Sequence, residues 1–165
     1  MFVIAAFWQW ILALHIIAVI VAFGLLFVYP FLGLIGARLE PRAMPAFHRW
    51  QLAVHTRLQA PGLVVVILAG IYLASDQHEW SSFFVGWGLA ASLVIGAIGG
   101  AYIVPRERRL IELADAEVAA APAGGPGFEF SDDYRGAARQ ADVARHVQLA
   151  LAALTILFMS LQLGS

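Results

Sequence analysis

The sequence predicts an all-α integral membrane protein, a four-helix antiparallel bundle with both termini outside and two long cytoplasmic connections. Three observations predict this class. The 165-residue chain is 61% hydrophobic and only 13% charged, its mean hydropathy is +0.80, and its apolar residues fall into four long runs. Soluble domains usually contain about 25% charged residues. We therefore expect a single membrane domain over residues 1–165, in contact with the lipid bilayer.

Each apolar run is long enough to cross the hydrocarbon core, which is about 30 Å thick and needs about 20 residues of helix. Lipid offers no partners to backbone N–H and C=O groups, which favours helices over open strands. The predicted spans cover residues 7–29, 57–75, 83–104 and 147–163. Because Pro61 interrupts the helical pattern, the second helix is expected to begin before its span and to kink there.

The arginines predict the orientation. All ten basic residues are arginines, and they lie in the connections 30–56 and 105–146 or at Arg57, where the second span begins. The short connection between the second and third spans has only acidic charges. The positive-inside rule therefore places both long connections in the cytoplasm.

The second long connection, over residues 105–146, is predicted to contain a charged helix, whose Leu110 and Ala114 are expected to rest on the membrane. It also contains a flexible Ala-, Pro- and Gly-rich linker over residues 119–127.

His15 is the clearest candidate functional residue within the spans. An ionisable side chain inside a membrane is unfavourable and by default marks function. His15 shares a helical face with Ala18 and Ala22, and small residues form the faces at which membrane helices meet. We expect it to point into the bundle, either as a haem or metal ligand or in an interhelical hydrogen bond. Met159 and Tyr72 lie at the same predicted depth and are its candidate partners on iron.

His55 and His146 form a second candidate pair. Both are expected near the cytoplasmic boundary, at similar depth on the second and fourth helices. Two facing imidazoles suit a six-coordinate haem b, whereas the alternative is two solvated side chains beside many arginines.

In the outer loop, His78 lies beside Asp76 and Glu79, where it either binds a metal such as copper or zinc or is simply solvated.

The third helix carries a ridge of small residues. They recur every four positions, at Gly88, Ser92, Gly96 and Gly100, and Gly86 and Gly99 widen the ridge. Such a ridge lets a neighbouring helix, or a flat macrocycle, approach the backbone closely.

Several function classes find no support in the sequence. The chain has no cysteine, which excludes disulfides, thiolate zinc sites and iron–sulfur clusters, and its net charge of −1 gives no reason to expect nucleic acid. It has no HExxH motif and no phosphate-binding loop. No carboxylate lies within the spans, which argues against a proton-coupled pump or a cation channel. Two possibilities therefore remain for the function: a histidine-dependent cofactor site, or a protein that carries out no chemistry.

Four short motifs resemble a known group of proteins. Residues 14–19 (Leu-His-Ile-Ile-Ala-Val) and 24–30 (Gly-Leu-Leu-Phe-Val-Tyr-Pro) are similar to the first helix of the small HemJ-type and CopD-like bacterial membrane proteins. Residues 61–62 (Pro-Gly) and 105–109 (Pro-Arg-Glu-Arg-Arg) resemble an uncharacterised branch of that superfamily. The resemblance implies a bacterial cytoplasmic-membrane protein in which His15 binds haem. If the protein is an enzyme, it implies a HemJ-like, haem-dependent oxidoreductase of porphyrin or haem metabolism.

The leading hypothesis is an inner-membrane protein that binds haem b and serves in electron transfer or haem handling. The alternative is a cofactor-free accessory subunit that packs, through the glycine ridge, into a larger membrane complex or a homo-oligomer. A small-molecule or metal transporter is the third hypothesis, although the spans lack the broken helices and buried charges typical of that class.

Overall fold

The computed structural model describes residues 7–122 and 128–161, and within them it is helical, with no strand. Four stretches are long and apolar enough to cross a membrane: Phe7–Gly36, Pro41–Asp76, Phe83–Ala120 and Asp132–Leu161. Their helices are α1 (Phe7–Gly36), α2 (Met44–Val54), α3 (Ala60–Asp76), α4 (Phe83–Ala97), α5 (Val104–Ala120) and α6 (Asp132–Leu161). The predicted all-α, four-helix architecture is thereby confirmed.

Two of the four stretches contain a π-helical turn just before a proline. The turn His55–Gln59 joins α2 to α3 ahead of Pro61, and the turn Ile98–Ile103 joins α4 to α5 ahead of Pro105. Proline has no N–H to donate to the fourth residue before it, and its ring crowds that carbonyl. A π turn absorbs an additional residue and lets the helix continue. The interruption predicted at Pro61 is therefore a change of helical pitch within a continuous helix.

The structure shows which glycine of the ridge faces the bundle. Gly88 and Ser92 are buried, but Gly100 is exposed, with no heavy atom within 4 Å of an added Cβ. Gly99 is buried and lies against His55. Each residue of an α-helix turns by about 100°, so Gly99 lies about 20° around the helix from Gly88, whereas Gly100 lies about 120° from it. A strict four-residue repeat therefore drifts off the inner face.

Small side chains let the apolar helices approach closely at the centre of the bundle. Ala18 and Ala22 of α1 are buried with Phe23 and Leu26, and Ala152 of α6 packs into the same core. Around the perimeter, large side chains such as Ile16, Ile17 and Ile20 are half or more exposed. Small residues inside and large apolar residues outside are the arrangement expected where lipid covers the surface.

The structure differs from the predicted limits at both long connections. Helix α1 continues through Pro30 to Gly36 instead of ending at residue 29. Leu110 and Ala114 of α5 are fully buried against Tyr134 and Ala141 of α6, so the start of α6 covers them rather than a membrane. Within the predicted linker 119–127, α5 extends to Ala120, and residues 123–127 lie outside the described part of the chain.

Replacing Gly99 with alanine is expected to lower the stability of the bundle. An added Cβ would lie 2.7 Å from Cε1 and 2.9 Å from Nε2 of His55, so the imidazole has to move. Forcing extra volume into a packed core usually costs about 1–3 kcal/mol. We expect a lower apparent melting temperature for Gly99→Ala in detergent.

Gly100→Ala is the matched control, because its Cβ meets nothing within 4 Å. Alanine also has the higher helix propensity, so this variant should be neutral or slightly stabilised. Equal melting temperatures for the two variants would contradict the inward assignment of Gly99.

Candidate functional site

A cavity of about 580 Å³ lies between α1, α3, α4 and α6 and extends to the short connection between α3 and α4. Most of its wall is aliphatic or aromatic, while His15, Ser92, Thr155 and Met159 contribute heteroatoms. Small-molecule sites are typically apolar cavities of about 300–1,000 Å³ with a few placed polar groups. This cavity has the size and composition of such a site.

Helix α1 places His15 in the wall of this cavity, against Gly70 of α3. A Cβ added at Gly70 would lie 3.3 Å from Cε1 of the imidazole, so the missing side chain makes room for the ring. The ring interacts with the Val66 backbone, yet Nδ1 is shielded from solvent and makes no hydrogen bond with any described residue. A buried polar atom without a partner costs about 1–3 kcal/mol and requires an explanation. A bound ligand at His15 would supply one.

Met159 approaches the same cavity from α6, where its thioether fills the space left by Gly88 of α4. The structure thus brings His15 and Met159 to one cavity, in agreement with their matched depth in the sequence. Tyr72 lies elsewhere: it is partly exposed, packs edge-on against Phe7 with ring centroids 5.7 Å apart, and does not line the cavity. It lies about 200° around α3 from Gly70, because each helical residue turns by about 100°.

The structure gives His55 and His146 different neighbours and does not bring them together as a pair. His55 is buried and donates from Nδ1 to Gln59 Oε1 over 2.8 Å, with its far edge against Gly99. His146 is exposed and donates from Nδ1 to the Asp142 carbonyl over 2.9 Å. The inward position on α6 belongs to Gln148, which lies about 200° around the helix from residue 146.

His78 has a structural role in the connection after α3. Its φ of 57° is in the left-handed region, and the N–H of Glu79 donates to the Ala74 carbonyl over 3.0 Å. This is the pattern of a Schellman motif, which satisfies the last carbonyls of a helix.

Across residues 7–122 and 128–161, no three His, Cys, Asp or Glu side chains are placed to hold a metal ion together.

A second polar site lies at the arginine-rich end of the bundle, and we call it the Glu107 cluster: His48, Glu107, Tyr134 and Arg145. His48 Nδ1 donates to Glu107 Oε2 over 3.2 Å, and the Tyr134 hydroxyl donates to His48 Nε2 over 2.7 Å. Arg145 donates to the other oxygen, Oε1. The Glu107 side chain is only 2% exposed, and that of Arg145 is 11% exposed. An ionised carboxylate only accepts hydrogen bonds, so the proton on His48 lies on Nδ1.

Polar contacts continue from the Glu107 cluster toward the middle of the bundle. The Arg145 guanidinium lies 5.1 Å from the centroid of the Tyr29 ring. The Tyr29 hydroxyl donates over 3.3 Å to the same Gln59 oxygen that His55 uses within the first π turn. Nearby, Gln148 donates from Nε2 to the Ile95 carbonyl over 2.7 Å, close to the second π turn. The contacts of Tyr29 and of Gln148 each join two helices, so these groups tie the bundle together.

Sequence reasoning had not identified the Glu107 cluster. Glu107 lies in a run of arginines, and that run predicts a solvated helix. The overlooked signal is on α2 and the first π turn, where His48, Gln51, His55 and Gln59 recur at steps of three or four residues. All four are buried, and a polar stripe on the inner face of a helix requires polar partners.

Comparison of the chain with protein-family models, curated proteins and solved structures gives no match.

The Glu107 cluster yields a stability prediction. Glu107→Gln keeps the shape of the side chain but leaves the Arg145 charge without its carboxylate. Removing one partner of a buried ion pair typically costs about 3–5 kcal/mol. We expect a clear loss of thermal stability in detergent, measured as the fraction that stays monodisperse after heating.

Glu112→Gln is the control, since that carboxylate is 70% exposed and pairs only with Arg109 one helical turn away. Exposed pairs contribute at most about 1 kcal/mol. A Glu107→Gln protein as stable as Glu112→Gln would show that the buried carboxylate does not hold the helices together.

Proposed function

We propose that this protein binds haem b in the cavity beside His15 and handles haem in the bacterial cytoplasmic membrane. The observation that carries the proposal is the buried Nδ1 of His15, which has no hydrogen-bond partner among the described residues and lies at an apolar cavity of about 580 Å³. Imidazole is the commonest protein ligand of haem iron, and a thioether is a frequent second one. The likeness of the first helix to HemJ-type proteins supports the same ligand.

The wall of the cavity suits a flat, apolar macrocycle. His15 and Met159 both line it, one from α1 and the other from α6, so an imidazole and a thioether could hold the iron. Gly70 and Gly88 give these two side chains room against the backbone of α3 and α4. When bound, haem b supplies one-electron chemistry; the protein residues hold it, exclude water from one face and tune its affinity.

One feature favours haem handling over permanent electron transfer. None of the described residues that line the cavity is an arginine, so acidic substituents of a macrocycle would have to remain near water. This feature reduces affinity and suits a ligand that is taken up and released. A HemJ-like oxidoreductase remains an expectation from the resemblance alone.

The spectrum of the purified protein tests this proposal. We expect a Soret band in the full-length protein after expression with added haem precursor, with sharp α and β bands on reduction by dithionite. His15→Ala should abolish the bands. Met159→Leu should keep haem but lower its reduction potential, because a thioether ligand stabilises the reduced iron.

His146→Ala is the matched control, because His146 is exposed and bonded to its own helix. It should leave the spectrum unchanged, and His55→Ala tests whether the buried histidine contributes. A colourless, folded protein that takes up no haem on titration would overturn the proposal. Bands that persist in His15→Ala and vanish in His55→Ala would move the site to the other end of the bundle.

The second candidate function is a cofactor-free accessory subunit. It is favoured by Gly86 and Gly100, which are exposed on the third long helix and have no heavy atom within 4 Å of an added Cβ. Exposed glycine on a membrane helix allows a helix of another subunit to approach closely. A colourless protein that copurifies with defined partners would support this function over haem binding.

We also propose that both termini lie outside and that the arginine-rich connections lie in the cytoplasm, on the basis of the positive-inside rule. The absence of native cysteine makes a clean test available. Ser81→Cys should react with a membrane-impermeant maleimide in intact spheroplasts. Glu112→Cys should react only after the membrane is permeabilised. The reverse labelling pattern would invert the orientation.

A further inference from the structure

A second cavity lies on the outside of the bundle, where the π turn Ile98–Ile103 passes α6. It measures about 390 Å³ and is lined by Ile98 and Tyr102 on one side and by Arg139, Gln140, Val143 and Val147 on the other. Val143 is 58% exposed and Val147 is 47% exposed. The cavity is therefore an open, largely apolar groove on the outer surface of the bundle.

The two walls of the groove have the same order of side chains. On α6, Val147, Val143 and Arg139 recur at steps of four residues and share one face. On the opposite wall, Ile98 and Tyr102 lead to Arg106 of α5. Both walls thus run from apolar side chains, beside the end of the predicted spans, to a guanidinium about 12 Å farther along the helix axis.

The two arginines are held differently. The Arg106 guanidinium stacks on Tyr102, 3.3 Å from the ring centroid, and donates from Nε to Gln140 Oε1 over 3.2 Å. Arg139 is exposed and pairs with no carboxylate in the described part of the chain. The nearest acidic residue along α6, Asp142, is within 3.5 Å of His146. The polar end of the groove therefore has Arg139 in its lining without a counterion, and Arg106 beside it, held by the lining residues Tyr102 and Gln140.

The geometry points to a bound anionic phospholipid in this groove, with its phosphate between Arg106 and Arg139 and an acyl chain along Val143 and Val147. Basic pockets between membrane helices are known headgroup sites for acidic lipids. The apolar part distinguishes a lipid from a free phosphate ion, because only a lipid has a chain to cover it. The inference does not depend on haem, since this groove and the His15 cavity share no lining residue.

Native mass spectrometry of the delipidated, full-length protein tests this inference. The probes are dioleoylphosphatidylglycerol and dioleoylphosphatidylcholine, which have the same chains and differ in headgroup charge. We expect preferential retention of phosphatidylglycerol. Arg139→Gln should weaken that retention roughly fivefold, the effect of about 1 kcal/mol for one basic residue near a lipid surface. Arg139→Lys should keep most of it.

Arg109→Gln is the control, because Arg109 is also exposed but pairs with Glu112 and does not line the groove. It should leave lipid retention unchanged. Val143→Trp, which fills the apolar part, should reduce retention of both lipids. Because Arg139 and Val143 are exposed, neither variant is expected to unfold, and circular dichroism verifies this.

Three results would overturn the inference. Equal retention of the two lipids would remove the role of charge. An equal loss of phosphatidylglycerol retention in Arg109→Gln and Arg139→Gln would show only a general attraction between the basic surface and the lipid, with no site in the groove. Displacement of phosphatidylglycerol by millimolar glycerol 3-phosphate would indicate a site for free anions instead.

Discussion

One buried carboxylate organises the arginine-rich end of this protein. Glu107 is shared by His48 and Arg145, so a single side chain joins α2, α5 and α6. Burying a charge is unfavourable unless its partners satisfy it completely, and here both oxygens have a donor. Because the loss of Glu107 would leave both His48 and Arg145 without this carboxylate, the positions of the three helices depend on one side chain. The Tyr29, Gln59 and His55 contacts extend this dependence toward the core.

The opposite end of the bundle relies on a different kind of interaction. There the helices meet through alanine and glycine, and the described polar side chains at membrane depth are few. The His15 cavity lies in this region, whereas His55 and Gln59 belong to the first π turn, and His48 and Glu107 lie on the far side of the two π turns. Ordered polar contacts can fix helix positions at one end, while the other end retains space for a ligand. The two halves of the fold thus combine a rigid support with an apolar cavity.

The lengths of the hydrophobic runs were sufficient to predict the four helices. Counting residues along the predicted spans placed His15 and Met159 at the same depth. Helical phase was predicted less well. Depth does not say which of two neighbouring residues faces inward, so His146 was paired with His55 although Gln148 has the inward position. A four-residue repeat drifts by about 40° per step on an α-helix, which is why Gly99 faces inward and Gly100 does not. The Glu107 cluster joins residues far apart in sequence, and no local pattern contains all of its members.

The uninterrupted course of α1 through Pro30 has a consequence for the membrane itself. A helix of 30 residues is about 45 Å long, whereas the hydrocarbon layer is roughly 30 Å thick. Tilts of transmembrane helices rarely exceed about 40°, so tilt alone does not absorb the excess. Leu34 and Ile35, near the C-terminal end of the helix, are exposed apolar side chains, so the apolar surface of α1 is longer than a hydrocarbon layer of that thickness. A helix of this length that crosses a bilayer would favour a thick bilayer over a thin one.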